Sequence, residues 1–193
     1  MHDQLLKSIG EKTHLTALEI ESIKSFFKPK KVRKRQYILN AGDKCLYLTF
    51  VEKGLVRSFS VDEEGHEHVM QFALEGWWIS DMASFLCGDD AIYNIEALED
   101  SELLMLSKPS MDEMIERIPG MERYFRLLMQ TNIIALQRRI RVVQTLSAEE
   151  IYLKLMEVSP EILTRASQQH IASYMGVTPE TLSRVRKQVS SKK

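Results

Sequence analysis

Hydrophobic residues recur with different spacings in successive parts of the chain, and each spacing predicts a different kind of element. Between residues 5 and 27 they suit one or two short helices, with Thr16 capping the second and Glu19 three residues on. From residue 36 to 106 the apolar runs are short or alternating and are separated by turn residues, which is typical of antiparallel strands. Beyond residue 120 helical spacing returns. We therefore expect three parts, namely residues 1–120, 121–146 and 147–193.

The strand-rich part predicts a small antiparallel roll or sandwich, so that the whole chain has an α+β fold. The DEEG segment at residues 62–65 suits a hairpin turn because Gly65 tolerates the left-handed conformation, and Lys53-Gly54 marks another turn or bulge. Residues 28–35, KPKKVRKR, carry six basic residues in eight. A solvated strand edge or loop is the favoured interpretation of this run; a nucleic-acid patch or nuclear-import signal is the alternative.

A long helix is predicted over residues 121–146, which contain neither glycine nor proline. One apolar stripe comprises Met129, Ile133, Leu136, Ile140 and Val143, and a neighbouring stripe comprises Met121, Phe125, Leu128 and Ala135. One stripe can pack on the strand region and the other on a second copy, so we expect a homodimer along this helix. The alternative is a helix buried wholly within its own chain. A further helix, capped by Ser147 with Glu150 three residues on, should follow and end near Ser159-Pro160.

Residues 168–188, QQHIASYMGVTPETLSRVRKQ, have the pattern of a helix-turn-helix. Ala172 is small where two helices cross, and Gly176 supplies the positive φ that ends the first helix. Thr178 can cap the second helix, with Pro179 at its first position. Any corner formed by two packed helices could share this pattern. The distribution of charge therefore has to distinguish a DNA-binding helix-turn-helix from a purely structural corner.

The charge is concentrated at this end of the chain. Residues 164–193 carry six basic residues against the single acid Glu180, a net of +5, whereas the chain as a whole carries −1. Local basic excess favours duplex DNA as the partner. The predicted DNA-contacting residues are Gln169, Thr178, Pro179, Glu180, Thr181, Ser183, Arg184, Arg186 and Lys187.

Composition points to an ordinary soluble protein, with 44% hydrophobic and 27% charged residues. No apolar run is long enough to span a membrane and the first residues lack a signal-peptide pattern, so a cytoplasmic location is expected. Cys45 and Cys87 are too few for a disulfide framework or a four-thiolate cluster; two free buried thiols are expected, with redox sensing as the alternative.

An enzyme is the competing hypothesis, because a small β-roll with His66 and His68 invites comparison with cupin metalloenzymes. The next acid after His68 is Glu75, and the next histidine is His170, in the helix-turn-helix. Two ligands do not make a catalytic metal site, so no metal is predicted and these histidines are interpreted as solvated surface groups. Nucleophile-elbow, phosphate-loop and zinc-protease motifs are also missing from the sequence. A small-ligand-binding protein that uses the roll is the remaining alternative.

The order of parts resembles the Crp/Fnr transcriptional regulators of bacteria, in which a cyclic nucleotide-binding-like β-roll is joined by a long dimerisation helix to a winged helix-turn-helix. The runs VDEEGHEHVMQFALEGWWISDMASF and IASYMGVTPETLSRVRK carry the resemblance. The usual wing would be reduced to residues 163–165, LTR. The resemblance implies a homodimer on a near-palindromic operator. It also implies RNA polymerase and an unidentified small-molecule effector as partners.

The resemblance also implies where an effector would bind: Trp78, Ser80, Asp81, Met82, Ala91, Ile92, Leu136 and Gln137. Members that bind cyclic AMP have a Gly-Glu pair where this chain has Ser80-Asp81, and an Arg-Ser pair where it has Ala91-Ile92. Residues 58–107 contain twelve acids and no lysine or arginine, so a buried phosphate would lack a cation. We therefore expect no cyclic AMP binding. An iron-sulfur cluster is not expected because the branch's amino-terminal cysteines have no counterpart, and haem ligation by His66 and His68 is not expected either.

The same resemblance suggests roles on the second helix of the reading unit. Pro179 stands where the cyclic AMP receptors have a guanine-reading arginine, so their operator should not be assumed. Arg184 is the candidate for reading guanine and Glu180 for accepting from a cytosine amine.

Overall fold

The computed structural model describes residues 2–191, which form two compact units. The first, here called the roll unit, comprises residues 1–60 and 71–131; the second, the helical unit, comprises residues 61–70 and 132–193. The boundaries between the units fall within two strands, Val56–Val61 and Glu67–Ala73, and within the helix Pro119–Thr145. No helix in the described part of the chain is both long and apolar enough to span a bilayer.

Eight strands form two four-stranded sheets, ordered β1-β8-β3-β6 and β2-β7-β4-β5. The strands are β1 Lys28–Val32, β2 Tyr37–Leu39, β3 Tyr47–Lys53, β4 Val56–Val61, β5 Glu67–Ala73, β6 Trp78–Ile79, β7 Asn94–Ala97 and β8 Ser101–Ser107. The strands of the roll unit share one hydrophobic core with its helices, α1 Asp3–Gly10, α2 Ala17–Ser25, α3 Met82–Cys87 and α4 Lys108–Arg117. This arrangement confirms the predicted antiparallel roll and the α+β class. Thr16 caps α2 in a capping box with Glu19, as its spacing predicts.

The basic run at residues 28–35 contains β1, an edge strand, which confirms the favoured interpretation of that run. Lys28, Pro29 and Lys31 on this strand are exposed to solvent. Charged side chains on an edge strand discourage pairing with a strand from another molecule.

The turn after β3 depends on Gly54, whose φ is +107°. A Cβ built on this residue would lie 2.1 Å from Ser101 Oγ. Only glycine fits, because the position combines a left-handed conformation with the close approach of another strand. The hairpin turn at residues 62–65 also forms as predicted, with Gly65 at φ +84° and its N–H donating to Asp62 O at 3.0 Å.

The long helix, α5, spans Pro119–Thr145 and begins two residues before the predicted start. Proline is favoured in the first turn because its missing N–H is not needed there, so Pro119 opens this helix and does not merely interrupt the chain. Met121, Tyr124 and Phe125 are buried in the roll unit. Farther along, large hydrophobic residues remain exposed: Ile133, Ile134, Leu136, Ile140 and Val143. The alternative of a helix buried wholly within its own chain is therefore wrong.

The helical unit adds α6 Ala148–Val158, α7 Pro160–Arg165, α8 Gln168–Met175 and α9 Pro179–Ser191. Ser147 caps α6 in a capping box with Glu150, as predicted. The expected reduced wing is wrong: residues 163–165 form the last turn of α7, and residues 108–191 contain no strand. Pro160 at the first turn after the Ser159 cap position starts a new helix instead of leaving a loop.

Candidate nucleic-acid interface

The turn between α8 and α9 has the geometry that its residues predict. Gly176 adopts φ +70° at the end of α8, and the following N–H, of Val177, donates to Ala172 O at 3.0 Å. This 6→1 hydrogen bond gives the Ala172 carbonyl a second donor besides the Gly176 N–H, and it closes the end of the helix. Thr178 Oγ1 accepts from the N–H of Thr181 at 3.2 Å and so caps α9.

Apolar packing determines which face of α9 is left for a partner. Buried side chains come from both helices of the corner and from the two helices before it: Tyr152, Leu155, Ile162, Ile171, Ala172, Met175, Leu182, Val185 and Val189. Ala172 is fully buried where α8 and α9 cross, as expected from its small size. Because α9 packs through Leu182, Val185 and Val189, its opposite face carries the polar side chains.

The predicted DNA-contacting residues lie on or next to this polar face. Thr178, Pro179, Glu180, Arg184 and Lys187 are exposed, as is Gln169 at the start of α8. Thr181, Ser183 and Arg186 are half-buried.

Three of these side chains form a hydrogen-bonded row along the first turns of α9. Thr181 Oγ1 lies 3.2 Å from Thr178 Oγ1 and accepts from Arg184 Nη2 at 3.1 Å. The row holds the guanidinium on the exposed side of the helix. The pKa of Glu180 is lowered, first by its own backbone N–H and then by the Thr178 hydroxyl, with a smaller contribution from Arg184. An ionised acceptor and a guanidinium donor therefore stand about one turn apart.

The first helix of the corner is attached to the β4–β5 hairpin, residues 61–70, which belongs to the same unit. Ser173 Oγ donates to Glu67 O at 2.7 Å and accepts from Val69 N–H at 2.9 Å. Arg139 of α5 donates to Val69 O at 3.1 Å, and its guanidinium lies 4.3 Å from the centre of the Tyr174 ring. This attachment could not be predicted from the sequence, because no local pattern links residues about a hundred positions apart.

The hairpin histidines are also placed by hydrogen bonds. His68 Nε2 lies 2.8 Å from Asp62 Oδ2, and the N–H of His66 donates to Asp62 Oδ1 at 2.8 Å. The hydrogen bond from His68 is the largest cause that lowers the pKa of Asp62 to about 2. His170 lies in the same unit, with Nε2 4.0 Å from Glu67 Oε2. Among residues 2–191 no three histidine, cysteine or acidic side chains are grouped so that they could hold a metal ion.

The chain is similar to known proteins over most of its length. Residues 29–118 match the model of the cyclic nucleotide-binding domain. The chain is 26% identical over 188 residues to the fumarate and nitrate reduction regulatory protein of Vibrio cholerae, covering 89% of this chain and 72% of that one. It is also 26% identical to the regulatory protein HlyX of Actinobacillus pleuropneumoniae, over 89% of this chain and 75% of that protein. Over its roll, the chain is thus similar to the cyclic nucleotide-binding domain, and over most of its length it is similar to these two regulatory proteins.

Solved structures of Crp/Fnr regulators share its fold. FixK2 from Bradyrhizobium japonicum matches with a TM-score of 0.74 at 19% identity, over 86% of this chain and 85% of that chain. The catabolite activator protein of Thermus thermophilus matches with a TM-score of 0.58 at 21% identity, over 92% and 85% of the two chains. The chain thus has the fold of these proteins.

The Crp/Fnr resemblance predicts an effector pocket, and the structure places its eight residues in different surroundings. Trp78 is buried against Phe27, Phe50 and Phe125, and its Nε1 donates to Tyr124 Oη at 2.9 Å. Ser80 Oγ lies 3.2 Å from Cys45 Sγ. Ala91 is buried, Met82 is half-buried and Ile92 is exposed. Leu136 and Gln137 are exposed and belong to the helical unit, whereas the other six belong to the roll unit.

The Asp81 carboxylate is an internal hydrogen-bond acceptor in this part of the roll unit. Its buried carboxylate accepts from the N–H groups of Ser84 at 3.1 Å, Ile92 at 2.9 Å and Tyr93 at 3.3 Å. These backbone donors are therefore already occupied by a negative charge of the chain itself. A phosphate placed here would meet a carboxylate where it needs a cation.

One arginine does lie inside the roll, immediately before the segment that lacks basic residues. Arg57 is buried and donates twice to Glu96 Oε2, at 2.9 Å through Nε and 2.7 Å through Nη2. Its guanidinium also stacks over the Phe59 ring at 4.0 Å. The charge count over residues 58–107 did not include Arg57. The charge of Arg57 is, however, already paired with that of Glu96.

Proposed function

We propose that two copies of this chain bind a near-palindromic duplex as a homodimer and regulate transcription there without cyclic AMP. The hydrogen-bonded row of Thr178, Thr181 and Arg184 on the exposed face of α9 is the observation that carries the proposal. A helix inserted in the major groove reads bases with this kind of donor and acceptor set.

Within that face, the side chains divide by chemistry. Arg184 reads guanine through its two-donor edge, and Glu180 accepts from a cytosine amine. Phosphate and peripheral contacts come from the remaining residues of the set, Gln169, Thr178, Pro179, Thr181, Ser183, Arg186 and Lys187.

The dimer forms along α5. Its exposed stripe includes Ile133, Leu136, Ile140 and Val143, with exposed fractions of 57%, 55%, 58% and 49%. A second copy of the same helix would bury these side chains, and pairing of like helices gives the symmetry of a palindromic site. Half-sites are then expected about 10 base pairs apart, centre to centre.

Cyclic AMP is not the ligand of this regulator. The Asp81 carboxylate occupies three backbone donors, and Arg57 is committed to Glu96. Isothermal titration of cyclic AMP into DNA-binding-competent protein should therefore give no binding heat. A micromolar site would overturn this part of the proposal.

The chain also works without an iron-sulfur cluster or haem. It has two cysteines, of which Cys45 is buried and within 3.2 Å of Ser80 Oγ, so one chain cannot supply four thiolates. His68 is already engaged with Asp62. Protein purified anaerobically should have no visible absorption band, whereas a cluster or a haem would produce one.

The remaining partners follow from the family. The regulator acts in the bacterial cytoplasm, and RNA polymerase is its partner at promoters. A small molecule that changes how the roll packs on α5 would alter the spacing of the two α9 helices, and so the affinity for DNA.

One experiment tests the core of this proposal. Random duplexes are selected on the purified protein, with and without cell extract, and the bound pool is sequenced. Enrichment of a near-palindrome with half-sites about 10 base pairs apart supports the homodimer. A monomer in sedimentation that binds no duplex at low ionic strength would overturn it. Enrichment only with extract would identify a requirement for an effector.

A further inference from the structure

A cleft of about 410 Å³ opens in the roll unit at the edge where β1 and β2 lie. Residues of both sheets line it, together with the loop before β3. Its volume is within the range of small-molecule sites. It shares no residue with the positions at which the family resemblance places an effector.

Part of the inner surface of the cleft is apolar. Leu39, Ile95 and Met105 are buried at its walls, and Ile38 and Tyr47 are half-buried. Leu46, which also lines the cleft, is 65% exposed. An apolar ligand body would cover this side chain and gain the free energy of removing it from water.

Two lysines stand over this apolar surface. Lys28 pairs with Met105 and Lys30 with Leu103 in the β1–β8 register, so both lysines lie on the face of the sheet that carries Met105. Lys28 Nζ lies 5.9 Å from the centre of the Tyr47 ring. Lys31 is on the opposite face of the strand and pairs with Glu102 at 3.1 Å.

The charges of these lysines are not neutralised within the described chain. Among residues 2–191, neither Lys28 nor Lys30 has a carboxylate within ion-pair distance, whereas Lys44 at the rim is paired with Asp90 at 2.7 Å. Asp43, the acid in the lining, accepts from the Asn40 side chain at 3.2 Å. The mouth of the cleft therefore offers two available cations above an apolar floor.

We propose that this cleft binds a small organic carboxylate with an apolar body, its head group held by Lys28 and Lys30. Charge-assisted hydrogen bonds from the two ammonium groups fix the carboxylate. Ile38, Leu46 and Met105 contact the apolar body. Because binding here requires neither DNA nor a dimer, its failure is distinguishable from failure of the proposed regulator.

The probe is octanoate, with octanamide as its neutral counterpart. Each is titrated into the full-length protein by calorimetry, and amide shifts in a ¹⁵N-labelled sample locate the site. Octanoate should bind saturably with shifts around residues 28–30 and 38–47, and octanamide should bind at least about tenfold more weakly. The Lys28→Gln, Lys30→Gln double variant should weaken octanoate binding about tenfold or more.

Lys31→Gln is the matched control, since it removes one charge from the same strand on the opposite face. It should leave octanoate affinity within about twofold of the parent. Equal binding of octanoate and octanamide, equal losses from the control and the double variant, or shifts elsewhere in the chain would each overturn the proposal. So would the absence of binding at millimolar octanoate, in which case Lys28 and Lys30 only protect the sheet edge from pairing.

Discussion

At the scale of single residues, Arg184 has the most specific expected effect. It is exposed on α9 and its guanidinium is directed by the hydrogen bond to Thr181. Arg184→Ala should cost about 1–3 kcal/mol of binding free energy on a selected site, because a bidentate contact to guanine is lost. Titration of labelled duplexes, one selected and one of random sequence, measures the difference.

Gln188→Ala is the control for that variant, since Gln188 is an exposed residue of the same helix outside the predicted contact set. It should change neither affinity by more than a few tenths of a kcal/mol. If Arg184→Ala weakens binding to the selected and the random duplex equally, the guanidinium contacts only phosphate.

A second residue-scale prediction concerns Gly54. Gly54→Ala should lower the free energy of unfolding by about 2–4 kcal/mol, because a methyl group at φ +107° would overlap Ser101 Oγ. Chemical denaturation measures this change. Gly65→Ala separates the two causes, since Gly65 has φ +84° but nothing within 4 Å of the added methyl group. The control should therefore cost only about 1–2 kcal/mol, and equal losses would contradict the steric explanation.

Local chemistry made several residues predictable from sequence. Thr16 and Ser147 form the predicted capping boxes, Gly65 closes its hairpin, and Gly176 ends α8. Each depends on neighbours within a few positions. Arg57 was not predictable, because its partner Glu96 is 39 positions away and only the sheet register brings them together.

At the scale of elements, the hairpin attached to α8 is the main finding that sequence could not provide. The alternation of apolar residues predicted the strands of the hairpin, and Gly65 predicted its turn. Which helix packs against the hairpin depends on the tertiary fold. The expected wing also shows that the sequence alone did not determine this part of the fold. A family expectation placed it at residues 163–165, whereas Pro160 and the apolar Ile162 make that segment a helix.

Ser173→Ala tests the attachment of the hairpin. Without the hydroxyl, Glu67 O and Val69 N–H lose a shared partner, so the free energy of unfolding should fall by about 1–2 kcal/mol. Thermal or chemical unfolding measures it. Ser190→Ala, at an exposed position of α9, should have almost no effect. Equal stability of the two variants would mean that the hairpin contact contributes nothing.

At the scale of the whole molecule, the proposed dimer depends on α5. Ile133→Glu with Ile140→Glu places two charges in the exposed apolar stripe, where a second copy of the helix would have to bury them. Sedimentation should show a monomer, and affinity for a palindromic duplex should fall because both half-sites can no longer be bound together.

The matched variant is Thr131→Glu with Thr145→Glu, which adds the same charge to exposed positions on the opposite side of the helix. It should remain dimeric and bind DNA as the parent does. If the protein remains dimeric with glutamate at positions 133 and 140, the dimer interface does not lie on this stripe. Helical periodicity predicted the stripe itself, but only the folded chain shows that these side chains are exposed and not part of an internal core.

The division of the chain between its two units has a practical consequence for anyone who wishes to transplant the proposed DNA-reading part. Residues 132–193 alone would omit residues 61–70, and with them the backbone groups that Ser173 and Arg139 bind. A truncated carboxy-terminal fragment is thus an incomplete folding unit. A chimera with a foreign sensor should therefore retain the β4–β5 hairpin, or replace it with a strand that presents the same carbonyl and amide groups.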